Sequence, residues 1–209
     1  MTNTVSKFFI LFGVSLLSLT SFAKDAVKEP VKVIAKTPYC SNMKLIDQAH
    51  HVSLSQVKEA DYILISKQRR LLYLLNQGQI VRVYSVAFGN GSLKGPKAQL
   101  GDGRTPEGLY FIDGKNDKSK YHLGLHLSYP TQADIDFAKT NLNAAPGGDI
   151  MIHGFPGGFI DGLNPEIVKK THPKADWTQG CIAVTDTEIE EIFSVVKTKV
   201  PVEICPLGK

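Results

Sequence analysis

The sequence predicts a mostly β domain with a few helices, an α+β fold. Short apolar runs recur from residue 61 onward, each bounded by Gly, Pro, Asn or Asp, which is the punctuation of strands. In Tyr121–Pro130 the period is two, with His122, Gly124, His126 and Ser128 on one face and the leucines on the other. Helix starts are sparse. They are marked by Ser53 with Gln56, Thr131 with Asp134, and Thr185 with Glu188, each a cap followed three residues on by a reciprocal acceptor.

In chain order, residues 1–23 read as a signal peptide. Lys7 supplies the positive region, Phe8–Leu19 the apolar stretch and Ser21-Phe22-Ala23 a small-x-small cleavage site. The apolar stretch is shorter than the ~20 residues needed to span a bilayer. Cleavage after Ala23 would release an exported protein with no stable membrane insertion. Residues 24–60 form a leader in which Ser53–Ala60 is a candidate short helix. The folded domain is expected over 61–206. Tyr62–Ile65 and Leu71–Leu75 are strands, Asn76-Gln77-Gly78 is a turn, and Ile80–Val86 returns as a third strand. Gly89–Gly108 holds six glycines and two prolines and reads as loop. Strand resumes at Leu109–Ile112. Helices are expected at Thr131–Leu142 and after Thr185, the latter with an apolar stripe of Ile189, Ile192, Phe193 and Val196. Pro201–Ile204 is a last strand. The long connection Phe155–Trp177 is predicted to be a partly helical lid with Trp177 beside the substrate.

Composition narrows the function. Removing residues 1–23 takes Lys7 alone and leaves a formal charge of +3, too small to indicate nucleic acid. Basic clusters interleaved with aromatics are also missing from the sequence. Three cysteines in an exported chain leave one unpaired if a disulfide forms. Pairing of Cys40 with Cys205 would tie both ends to the domain and leave Cys181 as a free thiol, but spacing alone does not decide geometry.

The chemistry concentrates in two segments. Cys181 follows a glycine and precedes the apolar Ile182-Ala183-Val184, and His153 closes the triplet Ile150-Met151-Ile152. A thiol anchored on a strand, with an imidazole as its proton partner, is the minimal equipment for acyl transfer. Backbone N–H groups of Gln179, Gly180 and Cys181 are candidates to hold an oxyanion, and a backbone carbonyl near Gly154 is the expected orienter of His153. Arg104, His126, Tyr129, Asp149 and Trp177 are candidate substrate-binding residues. His122 and His126, with His153 or His172, form a conceivable zinc set. The helical HExxH arrangement is absent, however, and zinc would leave the cysteine context unexplained. Neither a metal nor an organic cofactor is expected.

Thr178-Gln179-Gly180-Cys181, with His153-Gly154 upstream and Arg104-Thr105-Pro106-Glu107-Gly108-Leu109-Tyr110 further back, resembles the YkuD-type L,D-transpeptidase family of bacterial cell-wall enzymes. The resemblance covers Asp61–Ile204 and implies a β-sandwich-like catalytic domain. It also implies a cysteine acyl-enzyme formed on a peptidoglycan stem peptide, at the L-centre of a diamino acid. Cys181 matches the nucleophile, His153 the base, Thr178 the Ser/Thr position and Gly180 the glycine before the thiol. Two positions depart from the common pattern: Gln179 stands where many members have a second histidine, and Ala183 where many have Asn or Arg. Gly95-Pro96-Lys97 and Gly101-Asp102-Gly103-Arg104 resemble a branch that also contains peptidoglycan hydrolases and amidases, some of which release a wall-attached protein. L,D-carboxypeptidase or amidase activity is therefore an alternative to transpeptidation, and a non-catalytic peptidoglycan-binding module a second one. A periplasmic location is the expectation for an unanchored exported protein.

Overall fold

The computed structural model describes residues 38–208 together with Met1. Residues 38–208 belong to one compact unit. Apart from Met1, the expected signal peptide lies outside the described residues, as do residues 24–37 of the leader.

Eight strands carry the fold: β1 (Tyr62–Ser66), β2 (Leu71–Asn76), β3 (Gln79–Ser85), β4 (Gly108–Ser119), β5 (His122–Leu127), β6 (Met151–His153), β7 (Ile182–Ala183) and β8 (Pro201–Cys205). They are joined by helices α1 (Lys44–Asp47), α2 (Gln132–Leu142), α3 (Pro165–Thr171) and α4 (Asp186–Val195). The strands follow one mixed hydrogen-bonded succession, β3-β2-β1-β8-β4-β5-β6-β7. β4 joins its two halves. Gly108–Phe111 pairs with β8, whereas Ile112–Ser119 pairs with β5 through two register shifts. The predicted strand Leu109–Ile112 is thus only the first third of β4; the remainder is polar and exposed, so hydrophobic pattern does not mark it.

The main core gathers side chains from both halves and from α4: Ile63, Leu72, Leu125, Ile152, Ile182 and Ile189 are all fully buried. A second cluster, with Leu64, Tyr73 and Leu75, covers the opposite face of β1 and β2. Burial on both faces explains why these strands read as continuous apolar runs rather than alternations. The expected capping boxes form at Thr131 and Thr185. The one at Ser53 also forms, but it closes only a 3₁₀ turn, Leu54–Gln56. The helix predicted there stops because Val57 turns extended and Ala60 is drawn into a backbone bond to Val195, 3.0 Å long.

Cys40 and Cys205 are joined in a disulfide, leaving Cys181 free. Beside it Glu203, wholly buried, accepts from the Tyr39 and Cys40 amides at 3.2 and 2.8 Å and from the Tyr62 hydroxyl at 2.9 Å. These bonds satisfy a carboxylate that would otherwise be too costly to bury. Among the described residues, no helix is long and apolar enough to cross a membrane.

Candidate active site

β6 and β7 run parallel, pairing Ile152 with Ile182 and His153 with Ala183. This register sets Cys181 beside Met151, whose N–H donates to Sγ at 3.4 Å. His153 follows two residues along β6, and residues two apart on a strand share a face. Both side chains line one cavity of about 370 Å³, together with Tyr121, Met151, Trp177 and Gln179. A larger open cleft of about 880 Å³ lies beside the disulfide and includes neither Cys181 nor His153.

The turn before the thiol is held from within. Thr178 Oγ1 accepts from the Gly180 N–H at 3.2 Å and donates to the Cys181 carbonyl at 2.7 Å. The Gly180 amide is thereby engaged in the turn, which leaves those of Gln179 and Cys181 as the candidates to face an oxyanion. Gly180 adopts φ +134°, and a Cβ there would lie 2.7 Å from the Arg104 carbonyl oxygen. The Arg104–Gly108 segment acts as a buttress. Thr105 Oγ1 accepts from the Gly89 amide at 3.1 Å, and buried Lys67 donates to the Thr105 carbonyl and to Glu107 at 3.2 and 2.7 Å.

His153 is 2% exposed. Its Nδ1 lies 2.7 Å from the Gly154 carbonyl. A carbonyl only accepts, so Nδ1 carries the proton and Nε2 is the basic nitrogen. Burial, with a smaller contribution from His172, pushes the imidazole down to about 4, against the opposing Gly154 bond. Burial, with the nearby Asp149 carboxylate, pushes the Cys181 thiol up to about 11, although the Met151 N–H pulls the other way. The resting pair is therefore a neutral thiol and a neutral imidazole at neutral pH, not an activated thiolate. The thiol donates to the Asp149 carbonyl at 3.5 Å.

Of the residues singled out in the sequence, Cys181, His153, Thr178, Gln179, Trp177 and Asp149 line the cavity. Arg104 does not line it: its side chain reaches back to the Pro96 carbonyl at 3.4 Å. Tyr129 is buried in the core, bonded to the Pro146 carbonyl at 3.0 Å and edge-on to Tyr110. Counting along the strand explains this, since residue 129 has the parity of the leucines, not of the histidines. His126 does not line the cavity; it lies 2.5 Å from Asp113 and 3.7 Å from Asp149, while His122 is held separately by Glu190 at 2.7 Å. Gly154 packs under α4, where a Cβ would meet Asp186 Oδ1 at 2.6 Å. Ala183 is buried among Ala87, Phe155 and Trp177. Sequence reasoning missed Lys120, Tyr121, Met151, Asp161 and Leu163 as cavity residues. The connection from Phe155 does contain a helix, α3, capped by Asn164 with Pro165 at its first position. Leu163 and Val168 of this segment pack with Trp177, which is both a core residue and a cavity wall.

Residues 60–204 match the family model of the YkuD L,D-transpeptidase catalytic domain. The chain belongs to this L,D-transpeptidase family. YafK of Escherichia coli (strain K12), whose own L,D-transpeptidase name is provisional, is 29% identical over 141 residues. That alignment covers 65% of this chain and 46% of YafK, so the chain spans about half the length of the curated relative it matches. Among solved structures, the helical cell shape determining protein Pgp2 of Campylobacter jejuni matches at 24% identity and a TM-score of 0.48, over 69% of this chain and 47% of Pgp2. Mycobacterium tuberculosis L,D-transpeptidase 1 matches at 13% identity and a TM-score of 0.42, over 70% of this chain and 62% of the other. His153-Gly154 closes β6, and Thr178-Gln179-Gly180-Cys181 leads into its parallel neighbour β7.

Proposed function

We propose that this L,D-transpeptidase-family chain is an exported, periplasmic cysteine acyltransferase acting on peptidoglycan stem peptides. The observation that carries the reading is the shared cavity: the free thiol and the buried imidazole open into the same space from neighbouring strand ends. Cys181 Sγ attacks the carbonyl at the L-centre of the diamino acid as its proton passes to His153 Nε2. The amides of Gln179 and Cys181 face the oxyanion. Collapse of the tetrahedral adduct breaks the peptide C–N bond, and the proton on His153 leaves with the terminal D-alanine amine. In the second half, an acceptor amine or water attacks the thioester, gives its proton to His153, and the thiol is regenerated. A neutral resting pair suits this sequence, because the base removes the proton only as attack proceeds.

Mass spectrometry of defined muropeptides and native sacculi tests the reading. Wild type should produce new crosslinks or exchange the terminal D-amino acid. Cys181→Ala should be inactive, and His153→Ala should lose about two to four orders of magnitude. A fully active Cys181→Ala would overturn the mechanism. Loss of D-alanine or of a wall-linked peptide with no new bond would establish hydrolysis. Sacculus binding without turnover would mark a non-catalytic module.

A further inference from the structure

We infer that Tyr121 is the positioning residue of the base, holding His153 by ring contact, and that Asp161 in the segment before α3 latches Tyr121 in place. The inference rests on the reading of His153 as the base. It starts from what the imidazole lacks: among the described residues, its one hydrogen bond is that of Nδ1 to the neutral Gly154 carbonyl. One such bond leaves the ring free to rock about its axis. Packing must supply the rest.

Two aromatic rings do so. The Tyr121 ring lies 4.6 Å from the imidazole centroid at an interplanar angle of 38°, and Trp177 meets it edge-on at 5.7 Å and 69°. Tyr121 and Trp177 are themselves 6.3 Å apart, so the three rings form one wedge around the base. Such pairs contribute beyond their buried area and constrain orientation. Trp177 is fixed by the core. Tyr121 sits in the short β4–β5 turn and owes its place to bonds from elsewhere: its carbonyl accepts from Gly154 N–H at 3.1 Å, and the Lys120 carbonyl accepts from Gly157 N–H at 2.9 Å. Its hydroxyl donates to Asp161 Oδ2 at 2.7 Å. Burial and that bond both raise the phenol, so it remains protonated and keeps donating.

The charge environment agrees. The titratable groups around His153 are Tyr121 from the β4–β5 turn, His172 from the end of α3, Cys181 from the nucleophile turn and Asp186 from α4, beside Gly154. Lys120, Asp149 and Asp161 lie on the cavity wall. A carboxylate on the ring would favour imidazolium; an aromatic wall orients the ring without doing so. Tyr121 thus keeps the base aligned and uncharged, and Asp161 ties that alignment to the segment that covers the site.

Histidine-labelled protein titrated by NMR tests this without depending on turnover, with His153 assigned from the spectrum of His153→Gln. The wild-type His153 midpoint is expected near 4. Tyr121→Ala should raise it by roughly one unit or more, as the ring gains water. Tyr121→Phe, which keeps the ring but loses the bond to Asp161, should behave like Asp161→Ala and shift the midpoint less than Tyr121→Ala. Asp161→Ala, at an exposed position, should give a smaller rise and a several-fold fall in kcat on muropeptides with KM little changed. An unmoved midpoint in Tyr121→Ala would overturn the positioning role, and an Asp161→Ala protein identical to wild type in both readouts would remove the latch. Should Tyr121→Ala fail to fold, the Asp161→Ala midpoint decides, since its exposed site does not threaten the core. Wild type that titrates as expected but turns over no peptidoglycan would defeat the proposed function and leave the Tyr121 assignment standing.

Discussion

Cys181 and His153 were legible because each sits in a short apolar run whose local pattern survives folding. Their protonation states were not. The sequence pairs a thiol with an imidazole but does not show that burial penalises both charged forms at once, the imidazolium and the thiolate. Gly180 shows the same division. The motif marks it, but only the fold shows why nothing larger fits: φ is +134°, and the Arg104 carbonyl stands where a methyl would go. Gly180→Ala is expected to destabilise the protein by roughly 3 kcal/mol and to abolish activity, as backbone must move on one side or the other. Gly158, which has open space around its Cβ position, provides the control; Gly158→Ala should stay within about 0.5 kcal/mol of wild type. Urea denaturation of the two variants makes the comparison.

Elements with strong local signals formed where the sequence placed them, and those that depend on a partner did not. α4 begins at a reciprocal cap in which Thr185 Oγ1 accepts from the Glu188 amide at 3.3 Å while Glu188 accepts from the Thr185 amide at 2.8 Å. Its Ile189 and Ile192 are fully buried beneath the site-bearing strands. Thr185→Ala should cost about 1 kcal/mol, seen as a lower urea midpoint with an unchanged slope. The outer part of β4 carries no such signal, since its strand character comes from β5 alongside. The segment before Trp177 lies between these cases. Asn164-Pro165 announces a helix start, yet the return to the turn before Cys181 is secured by a distant residue: Arg70 pairs with Asp176 at 2.5 Å, and the same carboxylate oxygen accepts from the Phe88 amide at 2.8 Å.

For the molecule as a whole, buried His153 and half-buried Cys181 predict a stability maximum. The His153 value falls from an ordinary 6.5 to about 4, so its contribution is complete above pH 6.5 and is lost as pH drops toward 4, by about 3 kcal/mol. The Cys181 value rises from 9.0 to about 11, so its contribution is complete below pH 9 and is lost as pH climbs toward 11, by roughly 3 kcal/mol. Urea melts across this range should show both limbs; His153→Gln should flatten the acid one and Cys181→Ala the alkaline one. Persistence of the acid limb in His153→Gln would place its origin elsewhere. The sequence by itself determined the α+β class, the helix caps, the strands of the first half and the two segments, around His153 and Cys181, that meet at the cavity, because these are written in local periodicity and in short motifs. Only the tertiary structure decided that Cys40 bonds Cys205, that Tyr129 and Arg104 turn away from the cavity, and that Tyr121 and Asp161 enter it. Those outcomes depend on strand register and on contacts between residues far apart in the chain, and no local pattern encodes either.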